Sequence, residues 1–330
     1  MDDKEHLAQS IFEAKWIANG FPKSGTHLLA RLLLPLAPLE RGTEGGHFKQ
    51  PWAGTFRDNS FSLRPQPHKQ TTFRVGRISN GHMVKAHLGY DADLARFIDE
   101  LGAIHVFIYR DLRDVAVSQA YHILNAEDEE KLAHPCPQIY DRDDFDTLLM
   151  QVIRGHRGFP SLTQRWEAFA PWLKDKWTIV VRFEDLLDDP EDWGGQIWEG
   201  AMHRMGDRFG VKVNFDPVGR ETVTHVMAHS ARQRHLSPTF RRGVAGGWRE
   251  ELKPDHVAAL KEEGVDRWLQ ELGYEESEDW FIQGSELPGA DYASAAGTND
   301  HDDVAQVGAG GGGRLRGPVE VPSPAGGDHP

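Results

Sequence analysis

Four short apolar runs punctuate the chain, each rich in β-branched or aromatic residues. They are Trp16-Ile17-Ala18, Met83-Val84-Lys85-Ala86, Ile104-His105-Val106-Phe107-Ile108-Tyr109 and Thr178-Ile179-Val180-Val181. Runs of this length with little polar alternation read as strands covered on both faces, as in a parallel sheet. Between them the apolar period lengthens. From Asp91 to Leu101, the residues Leu94, Phe97, Ile98 and Leu101 fall on one helical face. Ser161 and Gln164 form a capping-box pair, and Leu162, Trp166, Phe169 and Leu173 follow as the apolar stripe of one helix. Strands alternating with helices predict an α/β fold, with a central parallel β-sheet flanked by helices on both faces. In such sheets ligands bind at the carboxyl ends of the strands.

Two stretches break the alternation. Residues 41–78 are rich in Gly, Pro and polar side chains and read as an irregular insertion facing a substrate. With residues 124–158 they are expected to form an acceptor pocket; Phe48, Trp52, Phe56 and Phe61 there suit sugars, phenols or lipids equally. From about Gly284 onward the pattern dissolves into Gly- and Pro-rich sequence. The expected organisation is therefore one domain over 1–283 and a disordered, acidic tail over 284–330. At 330 residues the chain can bury a large core without covalent staples.

Charge narrows the function classes. The formal net charge is −14, which argues against nucleic-acid binding, since that needs a basic surface. An anionic ligand would have to be met by locally concentrated cations and backbone N–H groups. The single cysteine, Cys136, excludes an internal disulfide. The first residues are charged, with no apolar leader behind them. The longest apolar run, Leu28 to Leu39, is broken by Arg31, Pro35 and Pro38 and is short of the ~20 residues a bilayer span needs. These features predict a cytoplasmic protein with no membrane partner.

The densest chemistry follows the first strand. Gly20-Phe21-Pro22-Lys23-Ser24-Gly25-Thr26 leads into an apolar helix that starts near His27. A strand, a Gly-containing loop and a helix start present backbone N–H groups and a lysine to a phosphate. The Lys-Ser/Thr pair that follows the last glycine in nucleoside-triphosphate loops is absent, because Thr26 and His27 stand there. A phosphosulfate donor used without metal fits this loop better than a magnesium nucleotide.

The loop resembles the 5′-phosphosulfate loop of the family of sulfotransferases that use 3′-phosphoadenosine 5′-phosphosulfate (PAPS), where Pro-Lys-Ser-Gly-Thr is the signature. Further segments follow in that family's order. Arg110-Asp111-Leu112-Arg113-Asp114-Val115-Ala116-Val117-Ser118 is similar to its 3′-phosphate motif, with Leu112 in place of proline. Arg241-Arg242-Gly243, with Gly246-Gly247-Trp248 behind it, resembles its late basic segment, with Gly247 in place of aspartate. Lys85-Ala86-His87-Leu88 resembles its Lys-Thr-His-Leu, with Gly89 in place of the next proline. Arg182-Phe183-Glu184-Asp185-Leu186 is similar to its Tyr-Glu-Asp-Leu segment, and Leu28 stands where many relatives have tryptophan.

The resemblance implies a P-loop-type sheet and a PAPS-dependent sulfotransferase that releases adenosine 3′,5′-bisphosphate (PAP). It implies His87 as general base, with Lys23 and Lys85 stabilising the transferring group. Cofactor contacts would come from Lys23, Ser24, Gly25, Thr26 and His27 at the phosphosulfate and from Arg110, Ser118, Arg241, Arg242 and Gly243 at the 3′-phosphate. Phe183 would pack on the adenine, and Ser230 would lie near the nucleotide. The acceptor would be a small molecule, carbohydrate or lipid with a hydroxyl or amine, and no metal is expected. A kinase and a nucleotide-binding module without activity are the rival readings. His225 and His229 are read as polar residues of a surface turn, and Asp141, Asp143, Asp144 and Asp146 as a solvated loop or helix start.

Overall fold

The computed structural model describes residues 10–37, 68–125, 140–210, 217–232 and 245–280. The tail over 284–330 and most of the 41–78 insertion lie outside these residues. The four apolar runs are all strands: β1 (Trp16–Gly20), β2 (Met83–Ala86), β3 (Ile104–Tyr109) and β4 (Thr178–Arg182). They form one sheet in the order β2-β1-β3-β4, and every pair is parallel. The register sets Asn19 beside Ala86 and Phe107, Gly20 beside Ile108, and Tyr109 beside Arg182. The carboxyl ends of all four strands therefore open on one edge, and the chain order switches direction around β1. A doubly wound sheet binds its ligands at such a point.

Alternation along the strands feeds two separate cores. Trp16, Ala18, Met83, Ile104, Val106 and Ile108 face one layer, built from α1 (Thr26–Leu33) and two later helices, Pro190–Phe209 and Pro217–Arg232. Ile17, Val84, Ala86 and Phe107 face the other, which includes the helices Ala92–Glu100, Leu112–Leu124 and Phe145–Arg154. Full burial of side chains such as Phe21 and Phe107 contributes about 1.5–3 kcal/mol each. Helices thus cover both faces, as the alternation of patterns predicts.

Local chemistry sets the helix limits. Asp91 caps Ala92–Glu100 by accepting from the Asp93 and Leu94 N–H groups. Ser161 and Gln164 make the expected capping box. The stripe from Leu162 to Leu173, however, is not one helix. The α-helix ends at Glu167 and a 3-10 turn, Ala170–Lys174, takes over. Pro171 has no N–H to give to the preceding turn, which ends the α-helical bond pattern, and it stands in the first turn of the 3-10 helix, where that loss is tolerated. One more correction concerns the 41–78 insertion, whose end, His68–Gly76, is a helix. The acidic stretch is a helix start, with Asp144 capping Phe145–Arg154 at the Thr147 N–H.

The helix α2 (Leu112–Leu124) carries the structural centre of the far layer. Its cap, Asp111, holds the guanidinium of Arg113 with Nη2 at 2.7 Å and Nε at 3.0 and 3.1 Å. Arg113 also pairs with Glu275 and lies 3.8 Å from the Trp248 ring centroid. Both Arg113 and Asp111 are buried. Arg113→Ala leaves that carboxylate buried and uncompensated, which costs about 3–5 kcal/mol. A fall of that size in unfolding free energy, read by tryptophan fluorescence in urea, is the expected outcome; a loss under 1 kcal/mol counts against it.

Candidate active site

The exit of β1 is shaped by the absence of a side chain. A Cβ on Gly20 would sit 2.6 Å from Thr26 Oγ1 and 2.7 Å from Ile108 Cγ2. Without it, the chain turns at once into the loop. The Ser24 N–H closes that turn on the Phe21 carbonyl at 3.0 Å. Lys23 (φ 72°) and Gly25 (φ 93°) both adopt left-handed backbone, which costs on the order of 1 kcal/mol at the lysine. A Cβ on Gly25 would come within 2.4 Å of the Phe183 ring. Ser24 and Thr26 carry buried hydroxyls with no hydrogen-bond partner among the described residues. Orphaned hydroxyls of this kind cost about 1–3 kcal/mol each, and an anion's oxygens would satisfy them. The Ser24 N–H is engaged within the turn.

The end of β2 meets this loop. His87 Nδ1 lies 2.7 Å from the Gly20 carbonyl. A carbonyl only accepts, so Nδ1 carries the proton and the neutral ring presents its lone pair at Nε2. Lys85 is a buried strand residue, and its Nζ lies 3.1 Å from His27 Nδ1. Burial first, and Arg31 second, lower its pKa to about 8. Lys23 is likewise lowered to about 8, by desolvation and then by Arg110. Both amines remain mostly charged at neutral pH.

Sequence reasoning missed one residue here. Asn19 is fully buried in β1. Its amide donates to the Leu88 carbonyl at 3.0 Å, and its oxygen accepts the Leu88 N–H at 2.7 Å. Trp172 Nε1 donates to the same carbonyl at 2.8 Å. These three bonds clamp the backbone next to His87. The available signal was a polar residue inside an otherwise apolar strand, directly before the glycine of the loop.

β3 and β4 supply the opposite wall. Arg110 follows β3, pairs with Asp114 at 3.1 Å, and lies 4.4 Å from the Phe183 ring centroid. Asp114 also accepts the Gly246 and Trp248 N–H groups at 2.8 and 2.9 Å. Burial raises its pKa, with Arg110 opposing. Ser118 is half-buried on α2, in the same helix as Asp114. Phe183, expected against an adenine, is 5% exposed, pressed on Gly25 and capped by Arg110. Leu28 packs in the core. The structure thus brings together Lys23, Ser24, Gly25, Thr26, His27, Lys85, His87, Arg110 and Phe183. Arg241, Arg242 and Gly243 lie outside the described residues.

Other candidates fall elsewhere. His225 and His229 lie on a helix, Pro217–Arg232, rather than on a turn, and both are exposed. On the same helix, the Ser230 hydroxyl donates to the Arg31 carbonyl at 2.6 Å and braces α1. Among the described residues no group of three or more His, Cys, Asp or Glu could hold a metal ion. No described helix is long and apolar enough to cross a membrane. A cavity of about 210 Å³ between Asp99, Gly102, Trp177, Arg204 and Asp207 opens at the amino ends of β3 and β4, away from the loop.

Comparison with known proteins identifies the family and the fold. A family model described as the sulfotransferase domain matches residues 14–273. Among solved structures, mouse sulfotransferase SULT7A1 complexed with PAP aligns with a TM-score of 0.50 at 16% identity, over 82% of this chain and 94% of that one. Retinol dehydratase in complex with retinol and PAP aligns at 0.42 and 14% identity, over 82% and 85% of the two chains. Its complex with androsterone and inactive cofactor PAP aligns at 0.43 and 15%, over 85% and 86%. No curated protein matches by sequence. At these identities the likeness to SULT7A1 speaks for the fold.

The clamp at Leu88 has a measurable consequence. Asn19→Ala leaves the buried Leu88 N–H without its acceptor, at a cost of about 1–3 kcal/mol. Trp172 still serves the carbonyl, so the fold survives. Chemical denaturation of the variant checks the value, and an unchanged midpoint would show that the clamp contributes nothing.

Proposed function

The chain belongs to the sulfotransferase domain family, and from that premise we propose that it moves a sulfuryl group from PAPS to a hydroxyl or amine acceptor, with His87 as general base. The observation that carries the base assignment is the bond from His87 Nδ1 to the Gly20 carbonyl at 2.7 Å. It fixes the tautomer whose Nε2 can take a proton, at the mouth of a loop built for an anion.

When bound, PAPS supplies an activated sulfur, whose bond to the 5′-phosphate oxygen breaks as the acceptor atom bonds to it. His87 Nε2 takes the acceptor's proton. Lys23 lies on the loop, where it would neutralise charge growing on the departing phosphate oxygen. Lys85, at the end of the neighbouring strand, would do the same for the sulfuryl oxygens. Such groups act strongly because they are already desolvated and oriented. The unpaired hydroxyls of Ser24 and Thr26 and the Gly25 and Thr26 N–H groups would hold the 5′-phosphate. Arg110, Ser118, Arg241, Arg242 and Gly243 are assigned to the 3′-phosphate. His27, beside Lys85, and Phe183, beneath Arg110, complete the donor site. A small-molecule, carbohydrate or lipid acceptor remains the expected partner, and a cytoplasmic setting the expected one.

Titration calorimetry with PAP in EDTA tests the donor site, with ATP and AMP as controls. Micromolar binding of PAP alone is expected. Because a phosphate raises the depressed pKa of Lys23, PAP binding near pH 8 should take up protons. It should also weaken as pH rises through about 8. Heats independent of the buffer's ionisation enthalpy would remove Lys23 from the phosphate site, and ATP binding that requires Mg²⁺ would favour a kinase.

The base assignment has its own test. On an acceptor found by screening with PAPS, His87→Ala should lower turnover by roughly 10²-fold or more while PAP affinity stays close to that of the unmodified chain. A near-normal rate would exclude His87 as the base.

A further inference from the structure

The histidine that follows the loop threonine stands in unusual company. His27 is the second residue of α1, and its Nδ1 lies 3.1 Å from the ammonium of Lys85. The cations Lys85, Lys23 and Arg31 lie close enough to act on it, as does the His87 ring. The helix N-terminus adds a further positive potential. Desolvation, followed by these cations, holds the His27 pKa far below the usual imidazole range. The ring is therefore neutral at any working pH. Lys85, charged at neutral pH, has only protons to offer, so Nδ1 of His27 accepts and Nε2 carries the ring's hydrogen. The two histidines thus hold opposite tautomers. His87 donates from Nδ1 to Gly20, whereas His27 accepts at Nδ1 from Lys85.

We propose that His27 is a positioning residue that aims the Lys85 ammonium at the sulfuryl group through the hydrogen bond accepted at Nδ1. The inference rests on the sulfuryl-transfer reading and adds to it a specific task for one residue. A lysine carries its charge on a flexible four-carbon stem with three rotatable donors. Its catalytic value depends on being held where charge develops. Lys85 leaves the strand on the face shared with α1, and the neighbouring Lys23 and Arg31 can only repel it. A neutral imidazole orients the ammonium without pairing off its charge, as a carboxylate would. One donor then points at His27, and the other two remain for anionic oxygens.

The test uses the full chain and two ligands, PAP and PAPS, which differ in the sulfuryl group that Lys85 would contact. The variants are His27→Leu, His27→Asn, Lys85→Met and the double variant His27→Leu/Lys85→Met. PAP binding, by calorimetry, reports that each variant is folded and keeps its donor site. His27→Leu is expected to weaken PAPS about tenfold more than it weakens PAP, the scale of one charge-assisted hydrogen bond. His27→Asn, whose side-chain oxygen can accept in place of Nδ1, should recover most of the loss. In the Lys85→Met background, His27→Leu should have no further effect on PAPS, since the two act as one unit. Three outcomes would overturn the role: equal losses for PAP and PAPS, additive losses in the double variant, or unchanged PAPS affinity. Failure of the unmodified chain to bind PAP is a separate result, and it would remove the sulfuryl-transfer reading itself.

Discussion

The active site depends on the hydrogen bonds that tie the exit of β1 to the exit of β2. Asn19 grips both backbone groups of Leu88, and the next carbonyl, from Gly20, accepts a hydrogen bond from His87 Nδ1. Adjacent parallel strands would by themselves place these chain ends side by side, but not at a defined depth or rotation. Two amide bonds and one imidazole bond do that. Gly20 contributes in a second way, since only a residue without a side chain leaves room for Thr26 and Ile108. One dipeptide, Asn19-Gly20, therefore holds His87, starts the loop after β1 and seats the first helix turn.

Charge is concentrated against the trend of the whole molecule. The chain is strongly acidic at −14, yet Lys23, Lys85, Arg31 and Arg110 converge on one edge of the sheet. Burial and a neighbouring guanidinium hold the pKa of each lysine at about 8. Among the described residues the buried hydroxyls of Ser24 and Thr26 have no hydrogen-bond partner. On the proposed reading a bound anion would offset the repulsion and satisfy these hydroxyls.

The parts legible in the sequence were those encoded over short distances. The strands announced themselves by β-branched and aromatic runs, the cap of Leu162–Glu167 by Ser161 and Gln164, and the loop by its Gly, Lys and Ser spacing. Arg110 and Asp114 were readable as an i, i+4 pair. Pro171 should have been read as a helix break, but the apolar stripe hid it. The links that finish the site could not be read at all. Asn19 and Leu88 are 69 positions apart, and His27 and Lys85 are 58 apart. Neither Asn nor His carries a local pattern that names its partner; only the sheet register does.

On the opposite wall an aromatic ring and a buried carboxylate hold Arg110 in place. Arg110 leans on the Phe183 ring and on Asp114, a carboxylate buried well enough that its pKa is raised. A buried carboxylate that depended on Arg110 alone would lock it, because any approach to another anion would orphan the acid. Asp114 does not depend on it alone. The Gly246 and Trp248 N–H groups give it two further hydrogen bonds, and these persist whatever the guanidinium does. Arg110 carries more than one donor in its planar fork and uses Nη2 on Asp114. The same backbone bonds fix Gly246 and Trp248 to the start of α2. The acid thereby steadies two chain segments.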